Sequence, residues 1–105
     1  MDKISVVIPV YNEEKVLPRL FERLVPVMEG LKRPYEVVLV DDGSTDQSLA
    51  ILKSHAGEKI HVVELTRNYG QHAAVFAGFE SSSGEIVITM DADLQNPPEE
   101  IPRLV

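Results

Sequence analysis

An α/β fold, a mostly parallel sheet with helices on both faces, is predicted by three features of this chain. Four short apolar runs rich in β-branched residues recur along it, stretches of helical periodicity separate them, and each run ends in a polar turn. Strand and helix alternating over 105 residues make one small domain with right-handed crossovers.

The first run, Ile4-Ser5-Val6-Val7-Ile8-Pro9-Val10, is apolar almost throughout, as a parallel strand covered on both faces would be. From Glu13 to about Leu31, Leu17, Leu20, Phe21, Leu24, Met28 and Leu31 recur at helical spacing. Pro18 falls near the first turn of that helix, while Pro26 removes an internal hydrogen bond and is expected to kink or end it. Glu36-Val37-Val38-Leu39-Val40 is the second buried strand, closed by Asp41-Asp42-Gly43-Ser44-Thr45-Asp46 and a short helix from about Gln47 to Ala56. His61 to Leu65 alternates more, as a strand toward an edge would, and Thr66-Arg67-Asn68-Tyr69-Gly70 turns the chain into a helix over 71–82. Val75, Phe76 and Phe79 are that helix's core candidates. Ile86 to Met90 is the fourth strand, and Pro97-Pro98-Glu99-Glu100 opens a fourth helix with Pro in its first turn.

Composition narrows the function classes. Ten Lys plus Arg against seventeen Asp plus Glu give a net charge of -7 with no basic cluster, which disfavours nucleic acid as a partner. Cysteine is absent, excluding disulfides and thiolate metal sites, and the three histidines lack zinc-motif spacing. The N-terminal apolar run is too short for a signal-peptide core or a bilayer span, so a soluble chain is expected.

In a parallel sheet every strand's carboxyl end points to one edge, where open α/β sheets bind ligands. Asn12-Glu13, Asp41-Asp42, Arg67-Asn68 and Asp91-Ala92-Asp93 are therefore expected to crowd one rim. Asp91 and Asp93 follow the fourth run two residues apart, and carboxylate oxygens suit hard cations such as Mg²⁺ or Mn²⁺ bridged to phosphates. Gln95 adds a neutral carbonyl. An acidic domain handling a phosphorylated ligand needs such a cation between like charges. An isolated pair of acids after a strand also serves to solvate a turn or cap a helix, and Asp42-Gly43-Ser44-Thr45-Asp46 is expected to cap the helix after it as well. His72, at a helix start, reads equally as a solvated or a reacting group. Gly43 and Gly70 are expected to serve backbone geometry first.

Four motifs in register, Val7-Ile8-Pro9-Val10-Tyr11-Asn12-Glu13-Glu14, Val40-Asp41-Asp42-Gly43-Ser44-Thr45-Asp46, Arg67-Asn68-Tyr69-Gly70 and Met90-Asp91-Ala92-Asp93-Leu94-Gln95-Asn96-Pro97-Pro98-Glu99, resemble the family 2 glycosyltransferases of GT-A fold. Within that family the chain looks like the polyprenyl-phosphate branch. The resemblance covers residues 1–105 and implies the Rossmann-like, nucleotide-sugar-binding N-terminal half of a longer GT-A domain. By position it implies that Pro9, Tyr11 and Glu13 line a nucleotide pocket and that Asp41 and Asp42 accept hydrogen bonds from the base, a pyrimidine such as uracil. It also implies that Asp91 and Asp93 hold the divalent ion on the donor diphosphate as the catalytic pair, with Gln95 beside them and Arg67 approaching the phosphates.

The implied reaction transfers a sugar from a nucleotide diphosphate sugar to a polyprenyl phosphate, at the cytoplasmic face of a membrane. Because the acceptor is already an anionic phosphate, no general base is assigned. Relatives of this branch run well beyond 105 residues, so the chain alone is expected to lack transfer activity and to expose apolar surface that favours homo-oligomers. A receiver-type signalling domain is the main rival, but it would place its acid pair after strand one. A nucleotidyltransferase would show a Gly-rich turn there instead, and a NAD-binding domain the G-x-G-x-x-G pattern.

Overall fold

A computed structural model describes residues 2–95 and 97–105; Asn96, a member of the fourth motif, lies outside the described residues. Elements follow in the order β1 (Ile4–Val10), α1 (Leu17–Gly30), β2 (Tyr35–Asp41), α2 (Ser48–His55), β3 (Ile60–Glu64), α3 (Gln71–Ser81) and β4 (Ile86–Thr89), then a 3₁₀ turn (Pro98–Glu100) and α4 (Ile101–Leu104). The strands form one sheet in the order β3-β2-β1-β4, every pair parallel. This is the first part of the Rossmann-type strand order; the receiver arrangement would instead set β1 between β2 and β3. The rival signalling fold is thereby not favoured.

Register follows from burial on two faces. Val6, Ile8 and Val10 of β1 pack with Val37 and Leu39 of β2 beneath Leu17, Leu20, Leu24 and Met28 of α1, with Leu52 of α2 and Ile101 of α4 joining them. On the other face Val7, Val38 and Val40 meet Ala74 of α3. The central strands β1 and β2 are thus apolar on both sides, whereas β3, an edge strand, is only half-buried, as its alternation predicts.

Two expectations need correction. Helix α1 does not end at Pro26 but continues through it to Gly30. Pro26 is exposed, and the buried stripe before and after it, Leu20, Phe21, Leu24 and Met28, holds the helix on the sheet despite the lost hydrogen bond. On α3, Phe76 and Phe79 are not core residues: they are 63% and 46% exposed, and Val75 is only half-buried. The helix turns Ala74 and Gly78, one turn apart, to the sheet instead. A Cβ on Gly78 would come 3.2 Å from Val40 Cγ2 and nearer still to Val7, so small residues let the backbone approach while the rings face outward.

At the edge opposite the carboxyl ends, the sheet is locked by one buried acid. Glu36 accepts hydrogen bonds from the Ser5 hydroxyl and the Ser83 N–H, both at 2.6 Å, with Lys3 Nζ at 3.6 Å and His61 Nε2 at 3.5 Å. Burial pushes its carboxyl up, but these donors and neighbouring charges prevail and hold it below the usual value.

Candidate functional site

The turns after β1 and β2 are tied to each other reciprocally. Asn12 Oδ1 accepts the Thr45 N–H at 2.8 Å while the Asn12 N–H donates to Ser44 Oγ at 2.9 Å. The Glu13 N–H donates to Ser48 Oγ at 2.8 Å, and Asp46 takes the N–H groups of Glu14 and Ser48. These bonds account for residues 13–16, predicted as the start of a helix, lying outside it instead: Ser and Asp side chains offer the backbone another partner. Asn12 sits at φ +51°, a conformation Asn tolerates better than most residues.

The third turn hangs from β2. Asp42, buried, accepts the N–H groups of Tyr69 at 2.8 Å and Gly70 at 3.1 Å, and its Oδ2 also takes Asn68 Nδ2 at 3.3 Å. Gly43, at φ +73°, lies against the Arg67 and Asn68 backbone, where any Cβ would collide. The fourth turn continues β4: the Met90 N–H still pairs with the Val7 carbonyl at 3.1 Å, and Ala92 is buried beneath the two flanking acids. Asp93 Oδ1 accepts the Gln95 N–H at 3.0 Å, Leu94 takes φ +66°, and Gln71 Nε2 donates to Asp91 Oδ1 at 3.1 Å.

The four turns enclose an open cavity of about 400 Å³ at the carboxyl edge of the sheet. Pro9, Tyr11, Glu13, Asp42, Asp91 and Asp93 all line it. Asp41, Arg67 and Gln95 stand outside its wall. Asp41 is buried, with Oδ2 on the Ser44 N–H and Oδ1 without a hydrogen-bond partner among the described residues. Arg67 lies over the Tyr69 ring, 5.0 Å from its centroid, and His72 is exposed at the start of α3. Asn68, expected on the rim, lines the cavity, and so do Gly70 and Gln71, to which the residues alone assigned no part in a site. Their turn was visible as one of four polar turns; Gln71's contact depends on α3 starting beside β4, which strand order decides.

Electrostatically the cavity is acidic. Burial, then the charges of Asp93 and Asp46, raise the Glu13 carboxyl above its ordinary value. Glu13, Asp42, Asp91 and Asp93 share the wall with no Lys or Arg among the residues that line it. Such a site favours a cation, or a ligand that brings one. Among the described residues no three His, Cys, Asp or Glu side chains gather as a cation site. Asp91 and Asp93 each have one oxygen engaged by a protein donor and the other open to a ligand. That suits a hard divalent ion whose other ligands are phosphate oxygens and water.

Residues 5–105 match the family model described as Glycosyl transferase family 2. The chain is 57% identical over 108 residues to an undecaprenyl-phosphate 4-deoxy-4-formamido-L-arabinose transferase of Sodalis glossinidius, covering 100% of this chain and 33% of that protein. It therefore spans about a third of the length of the curated relatives it matches. Among solved structures, S. aureus TarS 1-349 in complex with UDP-GlcNAc superposes with a TM-score of 0.73 at 34% identity, over 87% of this chain and 26% of that one. The mannosyltransferase PcManGT of Pyrobaculum calidifontis, in complex with GDP-Man and Mn²⁺, does so with a TM-score of 0.69 at 30% identity, over 88% and 28%.

Proposed function

This chain belongs to glycosyl transferase family 2, and from that premise we propose that residues 1–105 are the donor-binding N-terminal part of an enzyme that moves a sugar from a UDP-linked donor to a polyprenyl phosphate. The observation that carries this reading is the shared cavity: Asp91 and Asp93 from the end of β4 face Tyr11 and Glu13 after β1 and Asp42 after β2. The tyrosine ring, 44% exposed at the rim, offers a stacking face for a base. Asp41 Oδ1, buried and unpartnered among the described residues, offers an acceptor to a base N–H if the turn yields to admit it.

In the reaction proposed, the bond between the sugar's anomeric carbon and the donor diphosphate breaks, and a bond forms from that carbon to an oxygen of the polyprenyl phosphate. UDP leaves with the electron pair. A Mg²⁺ or Mn²⁺ ion held by Asp91 and Asp93, with Gln95 beside them, would neutralise charge on the departing diphosphate. Arg67 is assigned to the phosphates as they leave the cavity. The S. aureus structure holding UDP-GlcNAc and the Pyrobaculum calidifontis one holding GDP-Man with Mn²⁺ support donor and cation as classes; the undecaprenyl-phosphate transferase relatives support the acceptor. Among the described residues no helix is long and apolar enough to cross a membrane. Acceptor binding at the cytoplasmic membrane face, and any homo-oligomer, are assigned to the whole protein.

Calorimetric titration with UDP, with and without Mn²⁺, tests this against an Asp91→Ala, Asp93→Ala double variant. Metal-dependent binding that the variant loses is expected. A folded chain that binds neither UDP nor GDP in the presence of Mn²⁺ would sink the reading.

A further inference from the structure

Gln71 is the first residue of α3 and lies against both the larger cavity and a neighbouring one of about 140 Å³. Its Nε2–H donates to Asp91 Oδ1 at 3.1 Å. Its own place is set from the far side of the site, because Asp42 holds the N–H groups of Tyr69 and Gly70, the two residues before it. A bonded path therefore runs from Asp42 through the turn to Gln71 and on to Asp91, from the end of β2 to the end of β4, across the end of β1 between them.

We propose that Gln71 is a positioning residue that fixes the Asp91 carboxylate for the divalent cation, a role that rests on the donor-site reading above. An aspartate at a half-exposed strand end turns about two side-chain bonds, and holding one oxygen removes that freedom before a cation arrives. The amide does this without adding positive charge. A Lys or Arg in its place would fix Asp91 equally well but would neutralise it, whereas the neutral donor leaves the cavity's acidic charge intact and Oδ2 available. Outer-shell partners of this kind orient metal-binding side chains, and their loss costs about 10–100-fold in metal affinity or activity.

Gln71→Met keeps the side chain's length and removes the donor; Gln71→Ala removes the side chain. Mn²⁺ affinity is read in the presence of UDP from the paramagnetic resonance signal of the free ion, and the ligand-free thermal midpoint is read beside it. Both variants are expected to weaken Mn²⁺ binding about tenfold or more with the midpoint unchanged. Unaltered Mn²⁺ affinity in either variant, or a loss that goes with a lowered midpoint, would overturn the positioning role while leaving the donor site standing. A wild-type chain that takes up no Mn²⁺ with UDP would overturn the donor-site reading itself.

Discussion

Asn12 Oδ1 accepts the Thr45 N–H at 2.8 Å while the Asn12 backbone holds φ +51°, so one residue both joins the first two turns and supplies the conformation that lets them meet. Asn12→Ala loses the bond and places a residue less tolerant of this conformation there, and is expected to cost roughly 1–2 kcal/mol. Asn12→Gly keeps the backbone at ease and loses only the side-chain bond, so it should cost less. Urea unfolding of the three proteins checks the order; an alanine variant as stable as wild type contradicts it.

Gly43→Ala tests how closely the second and third turns pack. The added methyl would sit 2.7 Å from Arg67 Cα and closer still to the Arg67 carbonyl carbon and Asn68 nitrogen, all of it backbone that cannot swing aside. At φ +73° the alanine is strained as well. A destabilisation above about 2 kcal/mol is expected, together with displacement of the 67–70 turn that Asp42 holds. Unfolding by urea measures the first, and amide exchange at Tyr69 and Gly70 the second; unchanged protection there would contradict the packing.

What the residues disclosed and what they concealed divide along physical lines. β1 and β2 were legible because β-branched runs covered on both faces have almost no polar positions. The convergence of Glu13, Asp42, Asp91 and Asp93 was legible because parallel strands must present their carboxyl ends together. Phe76 and Phe79 misled because hydrophobicity says that a face is apolar without saying which apolar face meets the sheet; the decision lay with the small size of Ala74 and Gly78. Pro26 misled as a helix end because one lost hydrogen bond was weighed locally, whereas five buried side chains of α1 hold the helix in place. Gln71 and Leu94 could not be read at all. One depends on a neighbour 20 residues away across the strand order, and the other on a left-handed turn that a leucine does not advertise.

The exposure of Phe76 carries its own consequence. Since 63% of the residue already meets solvent, truncation removes little buried area, and Phe76→Ala is expected to change stability by no more than about 0.5 kcal/mol. Leu24→Ala, from a fully buried position on α1, should cost about 2–5 kcal/mol. Thermal unfolding of the pair gives the contrast directly, and a Phe76 variant as damaged as the Leu24 one would mean that the ring is buried in solution.

Glu13 makes stability depend on pH in the direction opposite to Glu29, Glu36, Asp46 and Glu99, whose carboxyls are held below their ordinary values. Burial, then the charges of Asp93 and Asp46, raise its carboxyl above the ordinary 4.5. As pH rises the unfolded chain gives up this proton first and the folded chain holds it longer. The group therefore favours the fold below 4.5, and that contribution is lost as pH climbs through the folded value. Near neutrality the ionised carboxylate is held against its neighbours. Glu13→Gln removes that repulsion and should raise the thermal midpoint near neutral pH, with the gain vanishing in acid where wild-type Glu13 is itself protonated. A cation bound beside Asp93 in the proposed donor site would screen the same charges, so Mn²⁺ with UDP should shrink the gain. Calorimetric midpoints across the pH series decide it: a Gln variant that is less stable near neutrality, or whose advantage is the same in acid, would show that burial and the neighbouring acids do not raise the Glu13 carboxyl in the fold.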